Sequence, residues 1–249
     1  MTYRALIQVD DQGRPSLSEN EIHHLVRVRR LSPGETFLGL HLEEAAWYEC
    51  RLGRKAGQWR IETEYCVGTL AESPLEIVLA AAIIKKDRFE WMIQKACELG
   101  VMEIVPLNTR YVDPRRPPKA NRLLARWERI LEESVKQCGR SRVPVLSPTT
   151  PLDEFLKRPL PDLRLVLDPK SRMNLQDALG KATTPAPPRS LMLLTGPEGG
   201  WSSEEHDLFR RHEARSFHIG PRTLRAETAA LATLSIAQFL WGDVGPADS

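Results

Sequence analysis

The sequence has few of the features that mark secreted, membrane-spanning or metal-binding proteins. Its four cysteines, Cys50, Cys66, Cys97 and Cys138, contain no C-x-x-C pair, which argues against a zinc ribbon and a disulfide framework. The first residues lack the apolar core of a signal peptide. The longest apolar stretch, residues 229–241, contains polar side chains and is too short to cross a bilayer. We therefore expect a soluble cytoplasmic protein with no membrane contact and no metal.

Two common nucleotide-binding patterns are also missing. The absence of a G-x-x-x-x-G-K-[ST] loop disfavours a nucleoside triphosphate, and the absence of G-x-G-x-x-G after an early strand disfavours an NAD-dependent enzyme. The formal net charge is only +2, yet residues 85–142 hold 14 basic and 8 acidic side chains, against 9 and 11 in residues 1–73. Such a local surplus is typical of a polyanion-binding surface, and equally of solvated helices.

The 249 residues change in character near Ser73. Before it, short apolar runs alternate with turns such as Pro33-Gly34 and Ala56-Gly57, which predicts a small β-barrel or sandwich with one helical piece over residues 19–28. After it, apolar runs predict strands over 75–84, 101–107, 163–167, 191–194 and 217–219. Helices are predicted over 87–99 and 122–137 and after the last two strands, with Gly100 as a C-terminal cap and a proline-rich surface loop at 183–188. This alternation predicts an α/β domain with a mostly parallel sheet and helices on both faces.

Two glycine-containing loops carry the strongest chemical signal. The first, Thr195–Gly200 (TGPEGG), follows an apolar strand, and Ser202 with Glu205 forms a capping box that predicts a helix start. The second, Gly220–Thr228 (GPRTLRAET), precedes a long apolar helix. Because glycine lets the backbone approach a ligand and a helix start offers free N–H donors, the two loops predict a site built largely from main chain. Tight turns that bind nothing are the alternative interpretation of both.

The charges on the two loops differ. Glu198, Glu204 and Glu205 would repel a phosphate and suit a ligand that carries positive charge. Arg222 and Arg225 can grip a phosphate or stabilise a developing anion, although simple solvation of a polar turn would explain them as well.

Together with three other blocks, these loops resemble the RsmE family of ribosomal RNA small subunit methyltransferases, within the SPOUT superfamily. The other blocks are HHLVRVRR at 23–30 with PGE at 33–35, KKDRFEWMIQK at 85–95 with ELGV at 98–101, and ESVKQCGR at 133–140. The matches run nearly end to end, in the right order and spacing.

The resemblance implies a specific reaction and architecture. The family transfers a methyl group from S-adenosylmethionine (SAM) to N3 of one uridine near the 3′ end of 16S rRNA, giving 3-methyluridine in assembled small subunits. The fold it implies is α/β, with a SPOUT trefoil-knot methyltransferase domain over residues 74–249 and a small PUA-like β-barrel over residues 1–73. The family also implies a homodimer.

By position, the resemblance assigns residues to the cofactor. They are Leu167, Thr195, Gly196, Glu198, Gly199, Gly200, Ile219, Gly220 and Leu224. Because uracil N3 carries a proton at neutral pH, a group must remove it or stabilise the anion. Arg225 is the candidate for stabilising the anion, and Glu227 or Glu198 for accepting the proton, although Glu227 could instead cap the last helix or pair with an arginine across the dimer. Asp168, before Pro169, is expected to cap a turn.

Contacts to RNA are assigned to two groups of basic residues. The first is His24, Arg27, Arg29 and Arg30. The second is Lys85, Lys86, Arg88, Arg115, Arg116, Arg140, Arg142 and Arg222. Phosphate contacts position RNA without reading its sequence, so we expect ribosomal shape to select the uridine. Any single one of these side chains could instead be ordinary solvated surface.

Two other functions stay open at this point. One is a non-catalytic ribosome- or RNA-binding module with vestigial C-terminal loops, and the other is a knot methyltransferase that acts on tRNA or 23S rRNA. The apolar helix over 229–240 is expected to be buried on all sides, with a partner subunit as one possible cover.

Overall fold

The structure is a computed structural model that describes residues 3–10, 14–111, 120–159, 161–180 and 187–245. Arg115, Arg116 and residues 183–186 of the proline-rich stretch lie outside these ranges. The chain forms two compact units. The first contains residues 1–72 and 132–143, and the second contains residues 73–131 and 144–249. The first unit therefore includes a segment that the division at residue 73 did not assign to it.

The first unit is built on a five-stranded sheet. Its strands are β1 (Arg4–Val9), β2 (Pro15–Ser16), β3 (Thr36–His41), β4 (Ala46–Lys55) and β5 (Gln58–Gly68). They lie in the order β2-β1-β3-β4-β5, with β1 and β3 parallel and the other pairs antiparallel. Because β2 and β5 at the two ends of this order contact each other, the sheet nearly closes on itself. This arrangement is consistent with a barrel.

The predicted helical piece of the first unit is confirmed. Helix α1 (Glu19–His23) begins at Ser18, whose hydroxyl accepts a hydrogen bond from the backbone N–H of Glu21, and it continues into a π-helical turn over His24–Val28. Leu25 of this turn is fully buried and packs into the core of the unit.

Residues 132–143 are joined to the first unit by charged contacts. The Nζ of Lys136 donates hydrogen bonds to the carboxylates of Glu21, at 2.6 Å, and Glu133, at 2.7 Å. The guanidinium of Arg140 donates to Glu72 Oε2 at 2.9 Å. Burial lowers the pKa of Lys136 and the two carboxylates raise it, with a net rise. These contacts satisfy charges that would be costly to bury alone.

The second unit is a parallel sheet with helices between its strands. The strands are β6 (Glu76–Ala82), β7 (Glu103–Asn108), β8 (Val145–Leu146), β9 (Thr150–Pro151), β10 (Leu163–Leu167), β11 (Ser190–Thr195) and β12 (Arg215–Phe217). The helices are α2 (Lys86–Glu98), α3 (Ala120–Cys138, whose last residues belong to the first unit), α4 (Leu152–Phe155), α5 (Leu175–Gly180), α6 (Ser203–Arg211) and α7 (Ala226–Trp241). The strand order is β12-β10-β11-β6-β7-β8, β9 also pairs with β7, and every pair is parallel. The predicted parallel sheet is confirmed.

Both faces of this sheet are covered. Met192 and Leu194 of β11 pack with residues of α4 and α6 in one hydrophobic cluster. Leu191 and Leu193 alternate with them and therefore point to the opposite face, where they are also buried.

Gly100 ends α2 as predicted, because its φ is +79°. The side chain of Gln238 in α7 donates a hydrogen bond to the carbonyl of Leu99 at 2.7 Å and accepts one from Ser73 Oγ at 2.7 Å. The start of this unit and the end of α2 are thereby fixed to α7.

Two expectations need correction, and a third, the burial of helix α7 on all sides with a partner subunit as one possible cover, stays a prediction. Strand β12 ends at Phe217, because the His218 ring hydrogen-bonds to the backbone of Gly220 and the chain turns there. The short elements β8, β9, α4 and α5 were not predicted, since segments of two to six residues show no clear periodicity. Helix α7 is not buried on all sides in the single chain: Ile236, Phe239 and Leu240 are 37%, 58% and 48% exposed. Within the described ranges, we find no helix with the length and apolarity needed to cross a membrane.

Candidate active site

Three loops lie side by side at one edge of the parallel sheet. They follow strands β12, β10 and β11, which are neighbours in the sheet and point the same way. The carboxyl ends of parallel strands are where open α/β sheets bind ligands. Here the three loops enclose a cavity of about 320 Å³.

Most of the predicted cofactor and catalytic residues meet at this cavity. Those that line it are Leu167, Thr195, Gly196, Glu198, Gly200, Ile219, Gly220, Leu224 and Arg225. Arg88 and Arg222, assigned to RNA from the sequence, line it as well. Gly199 and Glu227 do not line the cavity: Gly199 lies beside Tyr111, and Glu227 is buried in the first turn of α7. Trp201 and His218 also line it, although the sequence indicated no role for either.

Trp201 joins the loop after β10 to the loop after β11. Its indole Nε1 donates a hydrogen bond to the carbonyl of Leu167 at 2.9 Å, and its ring meets that of Phe209 edge-on at a centroid distance of 4.9 Å. A Cβ on Gly196 would come within 2.9 Å of this indole, so only glycine fits there without a shift. A tryptophan directly after a glycine-rich loop was the available signal for this role.

The turn of the glycine loop is set by its backbone. Gly200 has a φ of +73°, and its N–H donates to the carbonyl of Pro197 at 2.9 Å. The predicted capping box is confirmed, because the Ser202 and Glu205 side chains each accept a hydrogen bond from the other's backbone N–H. The pKa of Glu204 is lowered because its carboxylate accepts a hydrogen bond from its own backbone N–H and another from Ser202.

The other two loops are also held by main-chain contacts. The Asp168 N–H donates to the carbonyl of Phe217 at 2.9 Å, which ties the loop after β10 to the end of β12. The Asp168 carboxylate accepts from the backbone N–H of Lys170 at 3.0 Å, which is the predicted turn-capping role. Gly220 has a φ of +97°, and its backbone N–H donates a hydrogen bond to Nδ1 of the His218 ring at 3.1 Å. These contacts fix the backbone of both loops at the cavity.

Charged side chains lie on one side of the cavity. The Arg88 guanidinium is 3.7 Å from the carboxylate of Glu198 and 3.8 Å from that of Glu227. Arg225 is exposed and occupies the N-cap position of α7 without a side-chain capping bond. The charged side chains that line the cavity are of both signs: Arg88, Arg222 and Arg225 are cationic, and Asp168 and Glu198 are anionic.

The basic residues assigned to RNA separate into different environments. His24 is half-buried and Arg27, Arg29 and Arg30 are exposed, with Arg29 Nε 3.2 Å from the His24 ring. Lys85, Lys86 and Arg142 are exposed too. Arg140, in contrast, is 3% exposed and paired with Glu72, so its burial argues against the predicted RNA contact.

The cavity fits the chemistry of SAM. Its wall supplies main-chain groups and apolar side chains that suit an adenosine, and the Glu198 carboxylate suits a sulfonium. At Gly196 the space that a Cβ would occupy is taken by the Trp201 indole, so this glycine lets the loop pack against the indole. Within the described part of the chain, no group of three or more His, Cys, Asp and Glu side chains is arranged to hold a metal ion.

Comparison with known proteins identifies the class of protein to which this chain belongs. A family model described as an RNA methyltransferase domain matches residues 71–238, which include all three loops. A ribosomal RNA small subunit methyltransferase E from Mesomycoplasma hyopneumoniae is 31% identical over 233 residues, covering 94% of this chain and 97% of its own length.

Two solved structures share the whole fold. A Legionella pneumophila protein solved with the bound cofactor SAM superposes with a TM-score of 0.84 at 32% identity, over 98% of this chain and 99% of its own. A Neisseria gonorrhoeae ribosomal RNA small subunit methyltransferase E bound to SAM superposes with a TM-score of 0.82 at 28% identity, over 98% of this chain and 99% of its own. The chain belongs to the ribosomal RNA small subunit methyltransferase E family, as its sequence motifs indicate.

Proposed function

We propose that this protein is a SAM-dependent methyltransferase that methylates N3 of one uridine near the 3′ end of 16S rRNA, in the small ribosomal subunit. The observation that carries the proposal is the cavity formed by three adjacent strand-end loops, which is lined by most of the residues assigned to the cofactor from the sequence. Membership of the family and the SAM-bound relatives support the same cofactor and class of substrate. A ribosomal substrate implies a cytoplasmic protein.

The three loops would hold the cofactor through their main chain. Leu167, Gly196, Ile219, Gly220 and Leu224 are uncharged residues that line the cavity, which suits adenine and ribose. When bound, SAM supplies an electrophilic methyl group on a sulfonium sulfur. The protein contributes alignment, since a fixed geometry converts a slow bimolecular encounter into a fast step.

The acceptor nitrogen must lose its proton when the new N–C bond forms. Glu198 is the better-placed acceptor of that proton, because its side chain is 48% exposed and lines the cavity, whereas the Glu227 side chain is 7% exposed and does not. Arg225, exposed at the cavity, would stabilise the negative charge that develops on the uracil oxygens.

The finer architecture belongs to the same proposal. The nearly closed sheet of the first unit, joined by residues 132–143, is proposed as a PUA-like RNA-binding domain. The second unit is proposed as a SPOUT domain with a trefoil knot, in which β11 inserts between β10 and β6. The exposed cluster of Arg27, Arg29 and Arg30 with His24 is proposed to contact rRNA phosphates, together with Lys85, Lys86 and Arg222.

We also propose that the protein is a homodimer. The apolar side chains Ile236, Phe239 and Leu240 form an exposed face at the C-terminal end of α7. A second copy of the chain would cover this face and account for an apolar helix that the single chain leaves partly open.

One experiment tests the reaction and the substrate together. Small subunits from cells that lack the protein are incubated with it and with methyl-labelled SAM, beside free 16S rRNA, 23S rRNA and tRNA, and the labelled nucleoside is identified after digestion. We expect 3-methyluridine in small subunits and little label elsewhere. Label in tRNA or 23S rRNA would overturn the substrate assignment. SAM binding without any label would do the same, and the absence of SAM binding would favour an RNA-binding module.

A further inference from the structure

Arg88 connects three segments of the second unit. It lies in the first turn of α2, and its side chain lines the cavity. Its Nη1 is 3.7 Å from Glu198 Oε1, on the glycine loop after β11, and its Nε is 3.8 Å from Glu227 Oε1, in the first turn of α7. One guanidinium thus lies between carboxylates from two different segments, of which only Glu198 lines the cavity.

The place of this cation in its helix is unfavourable by itself. The first turn of a helix carries a partial positive charge from its free N–H groups, which disfavours an arginine there. The two carboxylates offset that cost. Glu227 also needs a cation, because its side chain is 7% exposed and a buried carboxylate without a partner is strongly destabilising. Among the residues that the structure describes, Arg88 alone is within ion-pair distance of Glu198 or Glu227.

Both separations are longer than a hydrogen bond, which spans about 2.7–3.2 Å between heavy atoms. Arg88 is therefore not fixed to one carboxylate at the expense of the other. It lies at nearly equal distances from both.

The surroundings of Arg88 differ from those of its basic neighbours. Lys85 and Lys86 are exposed, whereas the Arg88 side chain is 33% exposed and lines the cavity between two negative charges. An RNA phosphate approaching Arg88 would meet both carboxylates at the same time. The sequence-based assignment of Arg88 to RNA therefore fits its surroundings poorly.

We propose that Arg88 is a positioning residue of the cofactor cavity. Its guanidinium holds the Glu198 carboxylate and the start of α7 at a fixed separation, so that the glycine loop keeps the shape that SAM binding requires. The inference rests on the proposed function, because it takes SAM as the ligand of the cavity. It replaces an RNA-contacting role for Arg88 with one that acts through Glu198.

The test measures SAM affinity by titration calorimetry on the full chain. Arg88→Met keeps the length and apolar stem but removes the charge, and Arg88→Lys keeps the charge but cannot reach two carboxylates with a planar fork. Lys86→Met is the matched control on the same turn. We expect Arg88→Met to weaken SAM binding about tenfold, since a partly buried ion pair lies between the small effect of exposed pairs and the large effect of buried ones. Arg88→Lys should fall between it and the wild type, and Lys86→Met should bind SAM normally.

A second background shows whether Arg88 acts through Glu198. In the Glu198→Gln variant, Arg88 has already lost one of its two carboxylate partners. Adding Arg88→Met to that variant should therefore weaken SAM binding by a smaller factor than it does in the wild type. Equal factors in the two backgrounds would mean that Arg88 acts independently, which contradicts the proposal.

The outcomes separate this inference from the proposed function. If the wild type binds SAM and both Arg88 variants bind it equally well, the inference is wrong and the proposed function stands. An unchanged SAM affinity with a raised KM for small subunits would make Arg88 an RNA contact instead. If Arg88→Met does not fold, the Arg88→Lys variant tests the proposal by itself. Wild-type SAM affinity in Arg88→Lys would then overturn the positioning role of Arg88. A wild type that binds SAM but methylates no rRNA would remove the proposed substrate only, whereas a wild type that does not bind SAM would overturn both.

Discussion

The indole Nε1 of Trp201 lies 2.9 Å from the carbonyl oxygen of Leu167, 34 residues earlier in the chain. This hydrogen bond fixes the glycine loop after β11 to the end of β10. It also places the indole beneath Gly196, where a Cβ would clash. The shape of the cavity wall therefore depends on one buried donor.

Trp201→Phe removes that donor and keeps an aromatic ring against Phe209. We expect a loss of about 1–2 kcal/mol in the free energy of unfolding, because the buried hydrogen bond to the Leu167 carbonyl is lost. Urea denaturation measures the loss. Trp91→Phe is the control, since Trp91 is 46% exposed on α2 and should change stability by less than about 0.5 kcal/mol. Equal midpoints for the two variants would show that the hydrogen bond contributes nothing.

Arg225→Ala tests the proposed stabilisation of the uracil anion. We expect kcat to fall by about two to three orders of magnitude, as when one preorganised donor to a developing anion is removed. SAM affinity should stay near that of the wild type, because the cofactor is held mainly by backbone.

The matched control for Arg225 is Arg215→Ala. Arg215 is exposed at the first residue of β12, at the end of the strand away from the cavity. Single-turnover methylation of small subunits compares the two variants. Near-normal turnover in Arg225→Ala would remove this arginine from the chemistry.

Arg27→Gln with Arg30→Asn tests the basic cluster of the first unit. Asparagine is chosen at position 30 because Arg30 has a φ of +61°, which asparagine tolerates well. We expect weaker binding to small subunits. The slope of the logarithm of the binding constant against the logarithm of the salt concentration should also become shallower by about 2, which corresponds to two lost phosphate contacts. SAM affinity should not change.

A second double variant controls for net charge in the same unit. Lys55→Gln with Arg60→Gln removes two exposed positive charges from β4 and β5. Binding to small subunits is measured at several salt concentrations. If both double variants lose affinity equally, general charge and not the cluster attracts the RNA.

Phe239→Asp tests the proposed dimer face. Phe239 is 58% exposed on α7, and a charge in the centre of an apolar interface should raise the dissociation constant of the dimer at least about 30-fold, the effect of a central hot spot. Val145→Asp, at a position 62% exposed on β8, should leave association unchanged. Light scattering across a concentration series gives the mass of each. A wild type that is monomeric throughout would contradict the proposal.

The sequence was sufficient for features that depend on local pattern. Leu163–Leu167 is a strand with the predicted bounds, and its four apolar residues are buried as their pattern indicates, together with Arg164. The Ser202 capping box and the positive φ of Gly100 follow from residue type at fixed spacing. The two glycine loops were recognisable for the same reason.

Long-range relations were not available from the pattern. Nothing near Trp201 indicates that its indole reaches Leu167, and nothing near Arg88 indicates two carboxylate partners more than 100 residues away. Arg140 looked like its exposed basic neighbours until the structure placed it against Glu72. In each case tertiary packing, and not residue type, determined the role.

The first unit is discontinuous in the chain, and this restricts how the protein can be divided. A fragment that ends at residue 72 would lack Lys136 and Arg140, the cations that face Glu21 and Glu72. Recombination that exchanges only the N-terminal segment between relatives would separate those same charges unless both sides of each pair were inherited together. The first unit therefore depends on the end of α3, a helix that begins in the other unit, and the two segments are expected to evolve in step.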